Sequence, residues 1–126
     1  MINASLKNHR ISPRKVRLVA DMVRGKSVAE ARNILSVAGK RAKHPLAALL
    51  ESAAANAKNN FKIDDAKLMV KEIRVDQGVV MKRFRPVSRG SAHSFKRRTS
   101  HVSIVLAPIE ETKGKRKTEK GKIDLK

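Results

Sequence analysis

A hydrophobic repeat with the period of an amphipathic helix runs through residues 12–25, SPRKVRLVADMVRG. Ser12 is a favourable N-cap, Pro13 suits the first helical position, and Gly25 follows the last turn. Because successive helical residues turn by about 100°, the repeat separates an apolar side from a charged side. The apolar side, which we expect to face a core, consists of Val16, Val19, Ala20 and Val23. The charged side, which we expect to face something anionic, consists of Arg14, Arg17, Asp21 and Arg24.

Two more helices are predicted next. Ser27 and Glu30 have the spacing of a capping box, in which each side chain satisfies a free backbone N–H group, and a short helix follows that ends near Gly39. The segment 44–60 places Pro45 at its first helical position and repeats apolar residues every three or four positions. Its many alanines predict close packing against a neighbour. The apolar positions are Leu46, Leu49, Leu50, Ala53, Ala54 and Ala57.

Strand patterns occupy both sides of a long polar stretch. Residues 67–78 are rich in β-forming side chains, but their alternation changes phase between Val70 and Ile73, which predicts either a bulge or a strand covered on both faces. Residues 101–108 alternate cleanly, and ASLKNHRI near the start is a weaker third candidate. Together the patterns predict three helices, two clear strands and a weaker third strand, which is an α+β composition. The apolar side of 101–108 consists of Val102, Ile104 and Leu106.

The polar stretch between the two good strands, residues 79–100, is named here the arm. If the strands pair as a hairpin, the arm continues it, with Pro86 and Gly90 as turn residues near its middle. At about 3.3 Å per residue it would project roughly 35 Å beyond the domain. A two-stranded ribbon with no packed face is marginal in water. We therefore expect a long protruding hairpin that is mobile alone and ordered when an anionic partner surrounds it.

Composition then narrows the classes of molecule that the chain could bind. The chain of 126 residues fits one domain, predicted over 1–110, and the lysine-rich, low-complexity segment 111–126 predicts a basic disordered tail. A formal net charge of +19 makes nucleic acid the leading partner, although membrane surfaces and acidic proteins are also polyanionic. No apolar run is long enough for a membrane span. Three Phe with no Tyr or Trp argue against a module that reads single-stranded bases by stacking. Phosphates and the shape of folded nucleic acid remain as targets.

Catalytic and metal-binding patterns are missing from the sequence. The chain has no Cys, its four His are scattered without metal-ligand spacing, and no G-x-S-x-G elbow or glycine-rich phosphate loop occurs. We therefore predict neither an enzyme nor a cofactor. The absence of disulfides is compatible with a reducing, cytosolic setting.

Five separated segments resemble the bacterial family of large-subunit ribosomal protein twenty-two. Their order and spacing agree with that family from about Ala4 to Pro108. The segments are RISPRKVRLVADMVRGKSVAEA (10–31), SAAANAKNN (52–60), VKEIRVDQG (70–78), MKRFRP (81–86) and KRRTSHVSIVL (96–106).

The resemblance implies a structural protein of the large subunit in the cytoplasm, or in an organellar ribosome, present as a monomer within the ribosome. It implies an α+β fold in which three helices pack on a small three-stranded antiparallel sheet with a long protruding β-hairpin. It also implies that the domain lies near the peptide exit and that the arm passes between segments of 23S-type ribosomal RNA. It further implies neighbouring large-subunit proteins and the nascent polypeptide as partners. The predicted RNA-binding residues are Arg10, Arg14, Lys15, Arg17, Arg24, Lys26, Lys82, Arg83, Arg85, Arg89, Lys96, Arg97 and Arg98.

Two parts of the arm match named features of the family. Met81, Lys82 and Arg83 match the segment near the tunnel constriction where changes are linked to macrolide response. The sequence VSRGSAH in the tip is less basic than the commoner tips of the family. The predicted tunnel-lining tip consists of Arg85, Pro86, Val87, Ser88, Arg89, Gly90, Ser91, Ala92 and His93.

Two other function classes fit parts of the sequence. A free-standing basic protein that packages nucleic acid or acts as an RNA chaperone would bind duplex DNA generally, because phosphate contacts carry no sequence information. An RNA-processing enzyme would need a compact cluster of Asp, Glu, His or Lys in a cleft.

Overall fold

The computed structural model describes residues 1–109. Three helices pack on one three-stranded antiparallel sheet of order β1-β3-β2, which confirms the predicted α+β fold. The predicted tail, 111–126, lies outside the described residues. Within the described range, no helix is both long and apolar enough to cross a membrane. The elements are β1 (Ile2–His9), α1 (Pro13–Val23), α2 (Val28–Val37), α3 (Lys43–Phe61), β2 (Leu68–Pro86) and β3 (Ala92–Pro108), with short 3-10 turns at Asp65–Lys67 and Ser88–Gly90.

The first helix has the limits that its sequence predicts. Ser12 is the N-cap residue, Pro13 is the first residue of α1, and Gly25 adopts a positive φ of 76° just after the helix. A positive φ favours glycine because it has no Cβ. The four predicted apolar residues of α1 are all buried against the sheet and the other helices. The helical period in the sequence therefore identified the core face correctly.

The other two helices differ in how they begin. The capping box of α2 is present: the Glu30 N–H donates to Ser27 Oγ at 3.3 Å, and the Ser27 N–H donates to Glu30 Oε2 at 3.2 Å. Helix α3 begins at Lys43, so Pro45 is its third residue, and the prediction that Pro45 is first was wrong. The first N–H groups of a helix have no intrahelical acceptor, so proline at the third position removes no backbone hydrogen bond.

The sheet buries one face under the helices. Val102, Ile104 and Leu106 of β3 are each at most 2 % exposed. In the β2 ladder Val70 pairs with Leu106 and the next pair is Glu72 with Val105, so Lys71 is an extra residue. This confirms the bulge predicted from the phase change, because a bulge shifts side chains to the other face of the strand.

The outer edges of the sheet have polar partners from the α1–α2 connection and from α3. On β2, the Val70 N–H donates to the Lys26 carbonyl at 2.8 Å, and the Val70 carbonyl accepts from Gly25 at 3.1 Å. On β1, Asn56 Nδ2 donates to the Asn3 carbonyl at 3.1 Å. Unpaired strand edges promote association with other chains, and these contacts reduce the exposed edge.

The arm is a continuous hairpin built from the ends of β2 and β3. Pairing extends to Pro86 opposite Ala92, and the tip closes with Val87 N–H donating to the Ser91 carbonyl at 2.9 Å. All side chains in the range 82–94 are exposed, so this part of the ribbon buries no core of its own. The predicted protruding hairpin is therefore confirmed in form. Its predicted mobility stays a prediction.

Candidate nucleic-acid interface

The strand register divides the arm into two faces. Directly opposite residues in antiparallel strands share a face, and successive pairs alternate between faces. The arginine face consists of Met81, Arg83, Arg85, His93, Phe95 and Arg97. The lysine face consists of Val80, Lys82, Phe84, Ser94, Lys96 and Arg98. Both faces are basic, so a polyanion could contact the ribbon from either side.

Phe95 holds two arginines on the arginine face. The guanidinium carbons of Arg85 and Arg97 lie 5.3 and 5.1 Å from the centroid of its ring. These distances are within the range of cation–π attraction, which orders the long side chains while the guanidinium N–H groups stay free to donate. The arrangement therefore preorganises two guanidinium groups on one side of the arm, and each of them can donate two hydrogen bonds to a phosphate.

The segment matched to macrolide response does not form a single surface. Met81 and Arg83 lie on the arginine face, whereas Lys82 lies on the lysine face. Arg83 Nη1 donates to the Lys82 carbonyl at 2.9 Å, and Arg83 Nη2 lies 3.8 Å from Met81 Sδ. Neighbouring residues of this segment would therefore contact different surroundings.

The charged side of α1 contains two arginines that bind the protein itself. Arg17 donates to the Val75 carbonyl from Nε at 3.3 Å and from Nη2 at 3.0 Å. Arg24 Nη2 donates to the Ile73 carbonyl at 3.0 Å, and Arg24 Nη1 pairs with Asp21 at 2.5 Å. Part of the donor capacity of this side therefore satisfies the edge of β2. The expectation that the side faces an external anion stays a prediction.

A basic groove lies where the arm joins the domain, and we name it the junction groove. Its volume is about 340 Å³, and its lining comes from the β1–α1 connection, α1, the α2–α3 connection and the base of the arm. Five of the predicted RNA-binding residues meet here, and within the described part of the chain no acidic residue lines it. The lining residues are Arg10, Ile11, Ser12, Lys15, Leu18, Lys40, Arg41, Ala42, Lys96, Arg97 and Arg98.

Lys40 and Arg41 were not among the predicted site residues. They belong to the short basic run GKRAKH between the second and third predicted helices. That run was a usable signal, because both residues lie in a connection that approaches the arm. The other eight predicted RNA-binding residues lie outside the groove. Arg14, Arg17, Arg24 and Lys26 are exposed on the domain, Lys82, Arg83 and Arg85 lie on the two faces of the arm, and Arg89 is in the tip turn.

Four acidic side chains of the domain, Asp21, Glu51, Asp65 and Glu72, pair with cations away from the groove. Arg32 donates to Glu51 at 2.5 and 2.9 Å and to Asp65 Oδ2 at 2.8 Å. The hydrogen bond with Glu51, and then the one with Asp65, raises the pKa of Arg32 above its ordinary value. Residues 1–109 contain no group of three or more His, Asp or Glu side chains arranged to hold a metal ion. The geometry supports electrostatic contact with a polyanion.

Comparison with known proteins identifies the same family as the sequence segments. The sequence profile of the family described as Ribosomal protein L22p/L17e matches residues 4–107. The "Large ribosomal subunit protein uL22" of Thermus thermophilus is 54% identical over 97 residues, covering 77% of this chain and 86% of the relative. The protein of the same name from Rubrobacter xylanophilus is 50% identical over 109 residues, covering 86% of each chain. The one from Pediococcus pentosaceus is 44% identical over 108 residues, covering 86% of this chain and 92% of the relative. The match extends over the domain and the arm together, and this chain belongs to the ribosomal protein L22p/L17e family.

Proposed function

We propose that this protein is a structural component of the large ribosomal subunit that binds 23S-type ribosomal RNA through its domain and its arm. The observation that carries the proposal is the exposed hairpin. It contains seven Lys or Arg and no acidic residue, and its side chains from 82 to 94 are all exposed. Such a ribbon gains its stability from surroundings of opposite charge, because it has no packed face.

The arm and the domain would together select RNA segments that are already near one another. Phosphate contacts position a protein without reading sequence, so selectivity comes from the spacing of several binding surfaces. A fixed domain with an extended hairpin can reach RNA segments that are distant in RNA sequence. In this role the protein connects RNA domains during assembly of the subunit.

The tip would line the tunnel through which the nascent polypeptide leaves the ribosome. This finer assignment rests on the resemblance of 81–93 to the corresponding part of the family. The tip turn has Arg89 with φ of 60° and Gly90 with φ of 71°, so the chain reverses within a few residues. A narrow tip can reach a confined space between RNA segments. Neighbouring large-subunit proteins and the nascent chain would then be partners in the ribosome.

Because the chain belongs to a ribosomal protein family, it is a structural protein and not an enzyme. The same membership favours the ribosome as its location over a free-standing role in packaging nucleic acid. Both roles use Lys and Arg against phosphate, so the charge of +19 alone does not separate them.

Sedimentation tests the proposed location directly. The tagged protein, expressed in cells, should sediment with the large subunit and remain there after a high-salt wash. Salt weakens nonspecific phosphate contacts steeply, whereas a hairpin enclosed by folded RNA is released slowly. Recovery of the protein in the free fraction after the wash would contradict the proposal.

A competition assay distinguishes the proposed ribosomal function from a general role in packaging nucleic acid. Labelled deproteinised large-subunit ribosomal RNA is bound to the protein and challenged with unlabelled ribosomal RNA or duplex DNA of equal phosphate concentration. We expect ribosomal RNA to compete far better than DNA. Equal competition would favour a general nucleic-acid-packaging protein.

A further inference from the structure

We propose that the junction groove binds one RNA nucleotide whose base lies on the apolar floor and whose phosphate contacts the surrounding cations. The floor includes Leu18, which is 59% exposed although Val19 and Ala20, the residues that follow it in α1, are buried. Ile11 and Ala42 line the same groove. This inference rests on the proposed function and assigns one specific contact within it.

The cations of the groove come from three separate parts of the chain. Arg10 and Lys15 come from the β1–α1 connection and the first turn of α1, Lys40 and Arg41 from the connection before α3, and Arg97 from the arm. Like charges held this close repel one another, and the repulsion is relieved when an anion enters. The fold therefore concentrates positive charge where a phosphate would gain most from binding.

Arg97 is already oriented by its stacking on Phe95. An ordered guanidinium loses less conformational freedom when it binds than a free one does. Its position at the base of the arm makes it available both to the groove and to a strand that follows the arginine face. An RNA strand could therefore leave the groove and continue along the arm without losing contact with cations.

Size and chemistry favour a single extruded nucleotide over a bare phosphate or a duplex. A volume of about 340 Å³ is near the lower end of the range of about 300–1,000 Å³ for small-ligand pockets. An inorganic anion would leave the floor of Leu18 and Ile11 uncovered, and a duplex presents no unstacked base to it. RNA-binding proteins commonly contact splayed bases through their flat faces, and an aliphatic floor offers the same apolar surface.

The first experiment removes positive charge from the junction groove. Full-length K40Q/R41Q is compared with K58Q/K67Q, which removes the same charge at exposed positions outside the groove. Binding to deproteinised bacterial large-subunit ribosomal RNA is measured by filter retention over a series of salt concentrations. K40Q/R41Q should weaken binding by more than about tenfold at low salt and reduce the slope of log affinity against log salt by about 1.5. The control should bind like the wild type, and K40Q/R41Q behaving like that control would overturn the inference.

The second experiment removes an apolar side chain from the floor of the junction groove. Leu18→Ala is compared with Met22→Ala, one turn further along α1 and 44% exposed but outside the groove. Leu18→Ala should weaken binding about fivefold with an unchanged salt slope, because it removes apolar contact and no charge. Equal affinities for the two variants would show that no base rests on the floor and would overturn the inference.

The outcomes also separate this inference from the proposed function. If wild-type protein shows no preference for ribosomal RNA over duplex DNA, the proposed function fails and the inference fails with it. If wild type keeps that preference while both groove variants match their controls, only the inference fails. Circular dichroism of each variant checks that the domain is folded.

Discussion

The guanidinium of Arg17 donates two hydrogen bonds to the backbone carbonyl of Val75, from Nε at 3.3 Å and from Nη2 at 3.0 Å. Val75 lies on β2 at the edge of the sheet, where its carbonyl has no neighbouring strand to bind. Arg24 donates to the Ile73 carbonyl of the same edge. Arg17 and Arg24, which the sequence predicted to bind RNA, therefore connect α1 to the sheet.

Replacing Arg17 with Met should lower the free energy of unfolding. The Val75 carbonyl would lose a charged donor, and partly exposed hydrogen bonds of this kind contribute about 1 kcal/mol. Met keeps much of the apolar stem, so packing against the sheet changes little. Urea denaturation followed by circular dichroism measures the change.

Arg14→Met is the matched control for Arg17→Met. Arg14 is exposed on the same helix, and within residues 1–109 it makes no side-chain hydrogen bond or ion pair. Its replacement should change the free energy of unfolding by less than about 0.5 kcal/mol. Equal losses for both variants would contradict the assignment of a structural role to Arg17.

Gly78→Ala should destabilise the junction between the domain and the arm. Gln77 pairs with Ser100 and Val80 with Arg98, so Gly78 and Val79 form a bulge opposite one residue. A Cβ on Gly78 would lie 2.5 Å from Thr99 Oγ1, which donates to the Val79 carbonyl at 2.7 Å. Moving that hydroxyl would break a partly buried hydrogen bond. The expected loss in free energy of unfolding is about 1–3 kcal/mol, measured by urea denaturation.

Two comparisons isolate the cause of the Gly78 effect. Gly39→Ala places a Cβ with no atom within 4 Å and with no positive φ, so it should be neutral or slightly stabilising. The double variant Gly78→Ala/Thr99→Ala should lose less than the sum of the two single losses, because the hydroxyl that obstructs the new methyl group is gone. Additive losses would contradict steric contact with Thr99 as the cause.

Arg32→Met should loosen the contact between α2 and α3. The guanidinium connects Glu51 of α3 with Asp65 of the following turn. Its pKa is raised, so the guanidinium stays charged at neutral pH, and deprotonation of Arg32 would remove its contribution only at strongly alkaline pH. Its side chain is 35% exposed, and Glu51 and Asp65 are more exposed still, so the cost should be only about 1 kcal/mol.

Salt provides the check on the Arg32 prediction. The difference in free energy of unfolding between wild type and Arg32→Met should shrink at roughly 1 M salt, because screening weakens exposed ion pairs. Arg74→Met is the control: Arg74 pairs with Glu72 two residues away and is 68% exposed. Its loss should be smaller than that of Arg32→Met. A loss for Arg32→Met that is independent of salt would indicate packing as its cause.

The features that sequence predicted correctly depend on nearby residues. Ser12, Pro13 and Gly25 delimit α1 through backbone preferences that act within one turn. The bulge at Lys71 was visible because a bulge shifts the alternation of side chains by one position. These signals are local, so one sequence is sufficient to read them.

The features that sequence missed depend on contacts between distant residues. Arg17 and Arg24 bind backbone carbonyls on β2, and a carbonyl acceptor leaves no mark on residue type. Lys40 and Arg41 join the groove only because the α2–α3 connection approaches the arm. A helical period tells which residues face away from the core, but not what the fold places beside them.

Removing the charge of the arm should leave the domain folded. A variant with Ser at Lys82, Arg83, Arg85, Arg89, Lys96, Arg97 and Arg98 changes no residue of the buried core. Its thermal midpoint by circular dichroism should equal or exceed that of wild type, because like-charge repulsion is reduced. Its affinity for ribosomal RNA should fall steeply, with a salt slope reduced by about 5. Collapse of the domain in this variant would show that the arm is part of the folding unit.

Amide hydrogen exchange should divide β3 into two parts in the isolated protein. The amides of Val102 and Ile104 lie in the centre of the sheet, where exchange requires global unfolding. The amides around Lys96 lie in the ribbon, whose side chains pack on no core, so local opening should expose them far faster. Ribosomal RNA should slow exchange most strongly in the arm, because a ribbon enclosed by RNA no longer opens locally. Exchange at Val102 and Ile104 should slow only as far as binding raises the free energy of global unfolding. Slow exchange at Lys96 without RNA, equal to that at Ile104, would mean that the hairpin is stable on its own and that its order does not depend on a polyanion.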